Sequence, residues 1–298
     1  MAYIAAKDVP LYFDETIKSV GPAAEGDGSN RGVVATQVQL NYTPNIAPTR
    51  VVGKDPSKAS FALAGPPNAT LSFSCYVGAS DEFRPTDYTG DLTSGTAFKI
   101  GDGTNGISGS GAYMTSYSMT VTPYQPVLFQ CDFAIYNPLT TTDSPSAGGL
   151  ISDAANNSVI DNFDFGDFGH GVYSSFGKTT DATATFLSDI DIVESIQYQY
   201  QAQRLPIYKI GAYNIQRGSQ GGAKLISAQH SFTVNGDNIQ KLVPITGSNP
   251  GSMTLNVKRS NGDAVAVATV DGRLNAENVT IAGGDLARGS VTITELLV

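Results

Sequence analysis

Few residues in this chain have types and spacings that could do chemistry. Gly101-Asp102-Gly103-Thr104-Asn105-Gly106 spells G-x-G-x-x-G. In a dinucleotide fold those glycines join a strand to a helix whose N-terminus receives a pyrophosphate. Here Ile107-Ser108-Gly109-Ser110-Gly111 follows, and a run that rich in Gly and Ser does not open a helix. Histidine is limited to His170 and His230, neither at metal-ligand spacing from a cysteine or from the other. Asp161, Asp164 and Asp167 recur every third residue and could contact a hard cation, but they lack the spacing and glycine of an EF-hand loop. A solvated acidic loop accounts for them. There is no P-loop lysine motif and no G-x-S-x-G elbow. A carboxylate pair for glycoside hydrolysis is defined by separation in space and is not readable here. Tyr198, Tyr200, Tyr208 and Tyr213 cluster, as a sugar-stacking platform would, but strands favour tyrosine on their own account. The sequence therefore assigns no catalytic, cofactor-binding or metal-binding residue, and no enzyme is expected.

The elements available to position any site are strands. Leu71, Phe73, Cys75 and Val77 alternate with Thr70, Ser72, Ser74 and Tyr76, the pattern of a half-buried strand. Tyr113, Thr115, Tyr117, Met119 and Val121 alternate next, then Val127, Phe129, Cys131, Phe133 and Ile135. The Pro123-Tyr124-Gln125-Pro126 break between these runs predicts an antiparallel pair. Cys75 and Cys131 fall in phase with apolar neighbours, which predicts buried free thiols and no disulfide. Residues 78 to 111 form a long polar loop, interrupted by a short strand at Ala97-Phe98-Lys99-Ile100. Farther on, Met253, Leu255 and Val257 alternate, as do Val265 and Val267. Asn235-Gly236, Asn261-Gly262 and Asp271-Gly272 read as hairpin turns. One short helix is expected, over Leu150 to Asn162.

Composition agrees. Hydrophobic residues are 41% and charged residues only 15%, so cores are affordable under a surface of Ser, Thr, Asn, Gln and Gly. The net charge of −9 argues against direct nucleic-acid binding, which needs clustered Lys and Arg. No run approaches the roughly 20 apolar residues that span a bilayer, and Met1 to Lys18 does not read as a signal peptide. With no export signal, the Asn-X-Ser/Thr sequons at Asn41, Asn68, Asn156 and Asn278 are expected to go unused.

One stretch occurs twice. Val38 to Gly53 matches Ile196 to Gly211, with Tyr42 against Tyr200, Pro48 against Pro206 and Val52 against Ile210, every pair 158 residues apart (206 − 48). Leu71-Ser72-Phe73-Ser74 matches His230-Ser231-Phe232-Thr233 after a one-residue shift. Similarity at so long a period predicts tandem units, not a solenoid. The units expected are residues 1–140 with an N-terminal arm, a linker over 141–185 holding the short helix, and residues 186–298.

The strand-Pro-strand-Gly opening, the Leu71 to Val77 strand, the long polar loop and the Tyr113 to Ile135 pair resemble the tail tube proteins of tailed bacteriophages. The resemblance covers residues 33 to 137 and again 190 to 298. It implies an all-β fold with minor α, made of two tandem antiparallel β-sandwich or barrel domains. It also implies a structural virion protein, assembled in the host cytoplasm into stacked rings that form a hollow tail tube. Two domains per chain imply a ring of three chains with pseudo-six-fold symmetry, contacts with other tail proteins, and DNA passing an acidic bore without specific binding or any membrane. The loop at residues 78 to 111 and the N-terminal arm are expected to join stacked rings. Two alternatives stand beside this reading: a virion adhesion or carbohydrate-binding module, and a hub or terminator ring at the tail end.

Overall fold

In a computed structural model of the chain, the described residues are 11–13, 31–33, 35–49, 60–65, 68–77, 95–101, 106–142, 168–178, 193–210, 222–237, 251–280 and 288–297. They form sixteen strands and no helix. The first ten are β1 (Leu11–Phe13), β2 (Arg31–Val33), β3 (Ala35–Thr43), β4 (Ile46–Thr49), β5 (Ser60–Leu63), β6 (Asn68–Tyr76), β7 (Thr96–Gly101), β8 (Gly106–Val121), β9 (Leu128–Ile135) and β10 (Thr140–Thr142). The rest are β11 (Ser175–Lys178), β12 (Val193–Pro206), β13 (Ala223–Asp237), β14 (Gly251–Lys258), β15 (Ala264–Thr280) and β16 (Arg288–Leu297). The expected helix at 150–162, the acidic triplet at 161, 164 and 167, and most of the loop from 78 to 111 lie outside the described residues. The expected strand within that loop is β7.

Every strand pairing is antiparallel, and 14 strands form one hydrogen-bonded network, with β4 and β5 as a separate hairpin. Pairing in the first half runs β3–β6–β9–β8–β7. Pairing in the second half runs β12–β13–β16–β15–β14. The two series use strands in the same chain order. Each also carries one earlier strand on its last member, β1 on β7 and β11 on β14. The halves meet where β12 pairs with β8, from Ile196 opposite Val121 to Gln201 opposite Ser116.

The strands β8 and β15 are long because each serves different partners at its two ends. The N-terminal part of β8 pairs with β7 and its C-terminal part with β9; β15 pairs first with β14 and then with β16. A strand that changes partners midway turns the corner between two sheet layers. The pairing departs from the sequence reading at four points. Asp271-Gly272 is not a hairpin turn but the point in β15 where β14 hands over to β16, with Gly272 opposite Gly251. Asn235-Gly236 is not a turn either, since both residues pair with β16 opposite Ser290 and Gly289. The alternation expected from Tyr113 onward breaks at a bulge between Met114 and Ser116, so Met114 joins Tyr117 and Met119 in the core while Tyr113 packs elsewhere. A bulge between Val257 and Lys258 of the β14–β15 pair likewise leaves Val265 buried and Val267 exposed. The remaining signal, Asn261-Gly262, does turn: Gly262 has φ of 90° between β14 and β15, and its N–H donates to the Arg259 carbonyl.

The core follows the alternation. Leu71, Phe73, Cys75 and Val77 are buried, as are Val127, Phe129, Cys131, Phe133 and Ile135, and neither cysteine is in a disulfide. Phe73 stacks on Phe133 at 5.9 Å between centroids, and Tyr117 on Phe129 at 5.4 Å. One continuous cluster of buried side chains runs from Leu11 in β1 to Ile293 in β16 and takes in both halves. The segment expected to be a linker contributes to it: β11 places Phe176 edge-on against Phe232. Gly171 lies so close to the Thr122 carbonyl that a Cβ there would collide with backbone. The opposite face of the β6–β9–β8–β12–β13–β16 sheet has no second layer among the described residues. It carries Thr70, Ser72, Gln130, Ser118, Gln199, Thr233 and their like.

Candidate functional site

The side chains with chemical potential are spent on structure. Gly101 and Gly106 face each other across the β7–β8 pair, so the G-x-G-x-x-G letters close a hairpin and not a strand-to-helix turn. The N–H of His170 donates to the Lys258 carbonyl, and its Nδ1 accepts from the Val172 N–H, which shapes the turn before β11. Among the described residues no three His, Cys, Asp or Glu side chains are placed to hold a metal ion. No helix among them is long and apolar enough to cross a membrane.

The tyrosine cluster resolves into core. Tyr198 and Tyr200 are buried, and Tyr213 lies outside the described residues. The Tyr198 hydroxyl and Nδ1 of His230 share a hydrogen bond of 2.6 Å. Burial of that imidazole pushes its pKa down to about 4. Burial pushes the Tyr200 phenol up, against the field of Arg204. Arg204 is itself buried, donating from Nε to the Met114 carbonyl at 3.3 Å with its guanidinium over the Tyr113 ring. The Tyr208 hydroxyl donates to the Tyr136 carbonyl. These groups knit β8, β12 and β13 together, and the buried Tyr198 and Tyr200 offer no face to a ligand.

What remains unanswered is backbone. In the β12–β8 junction, Ile196, Tyr198 and Tyr200 project into the core and are 6%, 3% and 0% exposed. Their counterparts in the repeated stretch are Val38, Leu40 and Tyr42 on β3. These three lie opposite Phe73, Leu71 and Ala69, which puts them on the core face of the sheet. Yet Val38 is 36% exposed and Tyr42 45% exposed, because β3 pairs only with β6. The register also corrects the second sequence match. Leu71 lies opposite Leu40, and Phe232, not His230, lies opposite Tyr198.

At the other end of the pairing path, β15 from Arg273 to Thr280 pairs with β16 on one side and with no strand on the other among the described residues. The corresponding part of β8 has β9 on one side and β12 on the other. The chain thus carries one completed junction between halves and two open edges of the same kinds. Sequence reasoning found the repeated stretch but had no signal that, among the described residues, the edge beside β3 is vacant.

The described residues of the uncovered sheet face are mostly polar. Gln229 donates to Gln201, Asn235 to Ser195, and the Thr233 and Thr292 hydroxyls bond each other. In its middle, Asp132 accepts a short bond from Ser116. An open groove of about 400 Å³ crosses this face, lined by Ser116, Gln201, Ser227, Gln229 and Leu296 among others.

No protein-family model matches this sequence, and no curated protein does.

Proposed function

We propose that this chain is a structural virion protein whose copies assemble through their sheets into rings, the rings stacking into a hollow tail tube that conducts the phage genome. One observation carries the reading: the two halves pair their strands in the same order and are joined edge to edge by the β8–β12 pair. On this reading the halves are a duplicated unit, and three chains give a ring of six similar units. A surface of hydroxyls and amides suits large wet interfaces, since few charges need be buried.

Eight strands of each chain (β3, β6, β9, β8, β12, β13, β16 and β15) would enter the shared sheet. Three chains would supply roughly 24 strands. At about 4.8 Å spacing and about 40° tilt, they would enclose a barrel about 48 Å across between backbones. The layers built on β7 and β14 need radial room, which assigns them to the outside and the uncovered polar face to the bore. On this reading the described residues of the wall are chiefly amides and hydroxyls, with Asp132 as a carboxylate among them. Such a wall neither binds phosphate strongly nor repels it strongly.

Electron microscopy of the purified protein tests this reading. Rings and short tubes are expected; a protein that stays monomeric over a wide range of concentration and salt refutes it.

A further inference from the structure

We infer that β3 of one copy adds to the open edge of β15 in the next copy, antiparallel, in the register that β12 already takes against β8. This inference rests on the assembly reading above and gives it a specific interface.

Val38, Leu40 and Tyr42 stand to β6 as Ile196, Tyr198 and Tyr200 stand to β13. On the other side, Tyr117 and Met119 lie opposite Cys131 and Phe129 of β9, while Glu277 and Val279 lie opposite Val291 and Gly289 of β16. Both long strands skip one residue just before this segment, β8 between Met114 and Ser116 and β15 between Leu274 and Ala276. The bulge fixes the correspondence: Ser116 answers to Ala276, Ser118 to Asn278 and Met119 to Val279. Carrying the β12–β8 pairs across then sets Tyr42 opposite Glu277, Asn41 opposite Asn278 and Leu40 opposite Val279.

Two further features favour a second copy of the chain as the occupant. An edge strand offers a row of unpaired N–H and C=O groups to any partner strand. On the core side of β3, Val38 and Tyr42 are exposed and Leu40 half-buried, whereas the same places on β12 are buried by the pairing with β8. The interface this edge fits is therefore already built once inside the chain. A strand of any other protein would have to reproduce both the bulge register and the apolar spacing.

Cysteine pairing tests the register. Directly opposed residues of an antiparallel pair have Cα atoms about 4.5–5.5 Å apart, within reach of a disulfide. Asn41→Cys and Asn278→Cys are introduced into separate chains, which are mixed, assembled and mildly oxidised. A dimer band joining the two variants on a non-reducing gel is expected, with none when Asn278→Cys is replaced by Glu277→Cys, which is one residue out of register with Asn41. Tyr42→Asp is expected to lower the assembled fraction at least tenfold while leaving the far-ultraviolet circular dichroism unchanged. Rings by microscopy without the Asn41–Asn278 crosslink overturn this interface and leave the assembly reading standing. Absence of both rings and crosslink sinks the two together. A crosslink found only within single chains of the double variant also overturns the inference.

Discussion

The Tyr198 hydroxyl meets Nδ1 of His230 at 2.6 Å across the β12–β13 pair, inside the core. The imidazole is flanked by the rings of Tyr198 and Tyr200, so a proton added to it would be charged where water cannot follow.

That contact makes stability depend on pH. The folded pKa of His230 is about 4, against an ordinary 6.5. Between those values the unfolded chain binds more protons, so this contribution is complete above about pH 6.5 and is lost as pH falls toward 4. At about 1.36 kcal/mol per pKa unit the upper bound is roughly 3 kcal/mol. His230→Gln is expected to flatten the fall of Tm between pH 6.5 and 4; a variant that keeps the wild-type slope removes His230 from the account.

The repeated tyrosines should part company on mutation. Tyr200→Ala removes a fully buried ring and should cost about 3–5 kcal/mol of unfolding free energy. Tyr42→Ala removes an exposed ring and should change the stability of the unassembled chain by less than about 0.5 kcal/mol. Urea unfolding of both variants at low protein concentration separates the outcomes. Equal losses would mean that Tyr42 is covered within its own chain.

Two glycines should differ for a steric reason. A Cβ at Gly171 meets the Thr122 backbone, which cannot swing aside, so Gly171→Ala is expected to cost about 1–3 kcal/mol. Gly262 has open space around it, and Gly262→Ala costs only the left-handed backbone, about 1 kcal/mol. Thermal melts rank them, and the prediction fails if Gly262→Ala is the more damaging.

Arg204→Lys should lose the Nε bond to Met114 and the flat contact on Tyr113, since an ammonium offers neither. A loss of about 1–2 kcal/mol is expected by denaturant unfolding. A neutral result would show that the buried charge is held by other means.

Much of the strand content was legible because alternation reports one buried face. Leu71 to Val77 and Phe129 to Ile135 stand where their spacing put them. The failures share a cause. Asn235-Gly236 and Asp271-Gly272 have the composition of turns, but each sits in a strand held by neighbours distant in sequence, and local propensity yields to that pairing. At Thr115 one inserted residue reversed the phase of a run that reads as unbroken. The edges of β3 and β15 were unreadable for a different reason. Vacancy belongs to the arrangement of strands, and Tyr42 looks in sequence just like its buried twin.

The β8–β12 junction also sets a clock on synthesis. The edge of β8 is complete at Val121, but the strand that covers it ends at Pro206. At about 5–20 residues per second, that edge waits on the order of ten seconds while the second half is made. During that interval a β3 strand from a neighbouring nascent chain can occupy it first, seating the right kind of strand on the wrong edge. The native partner wins by tethering, because its effective concentration greatly exceeds that of free chains. On the proposed assembly, chains cut short before β12 have no such rescue, and they would cap or poison growing rings out of proportion to their number.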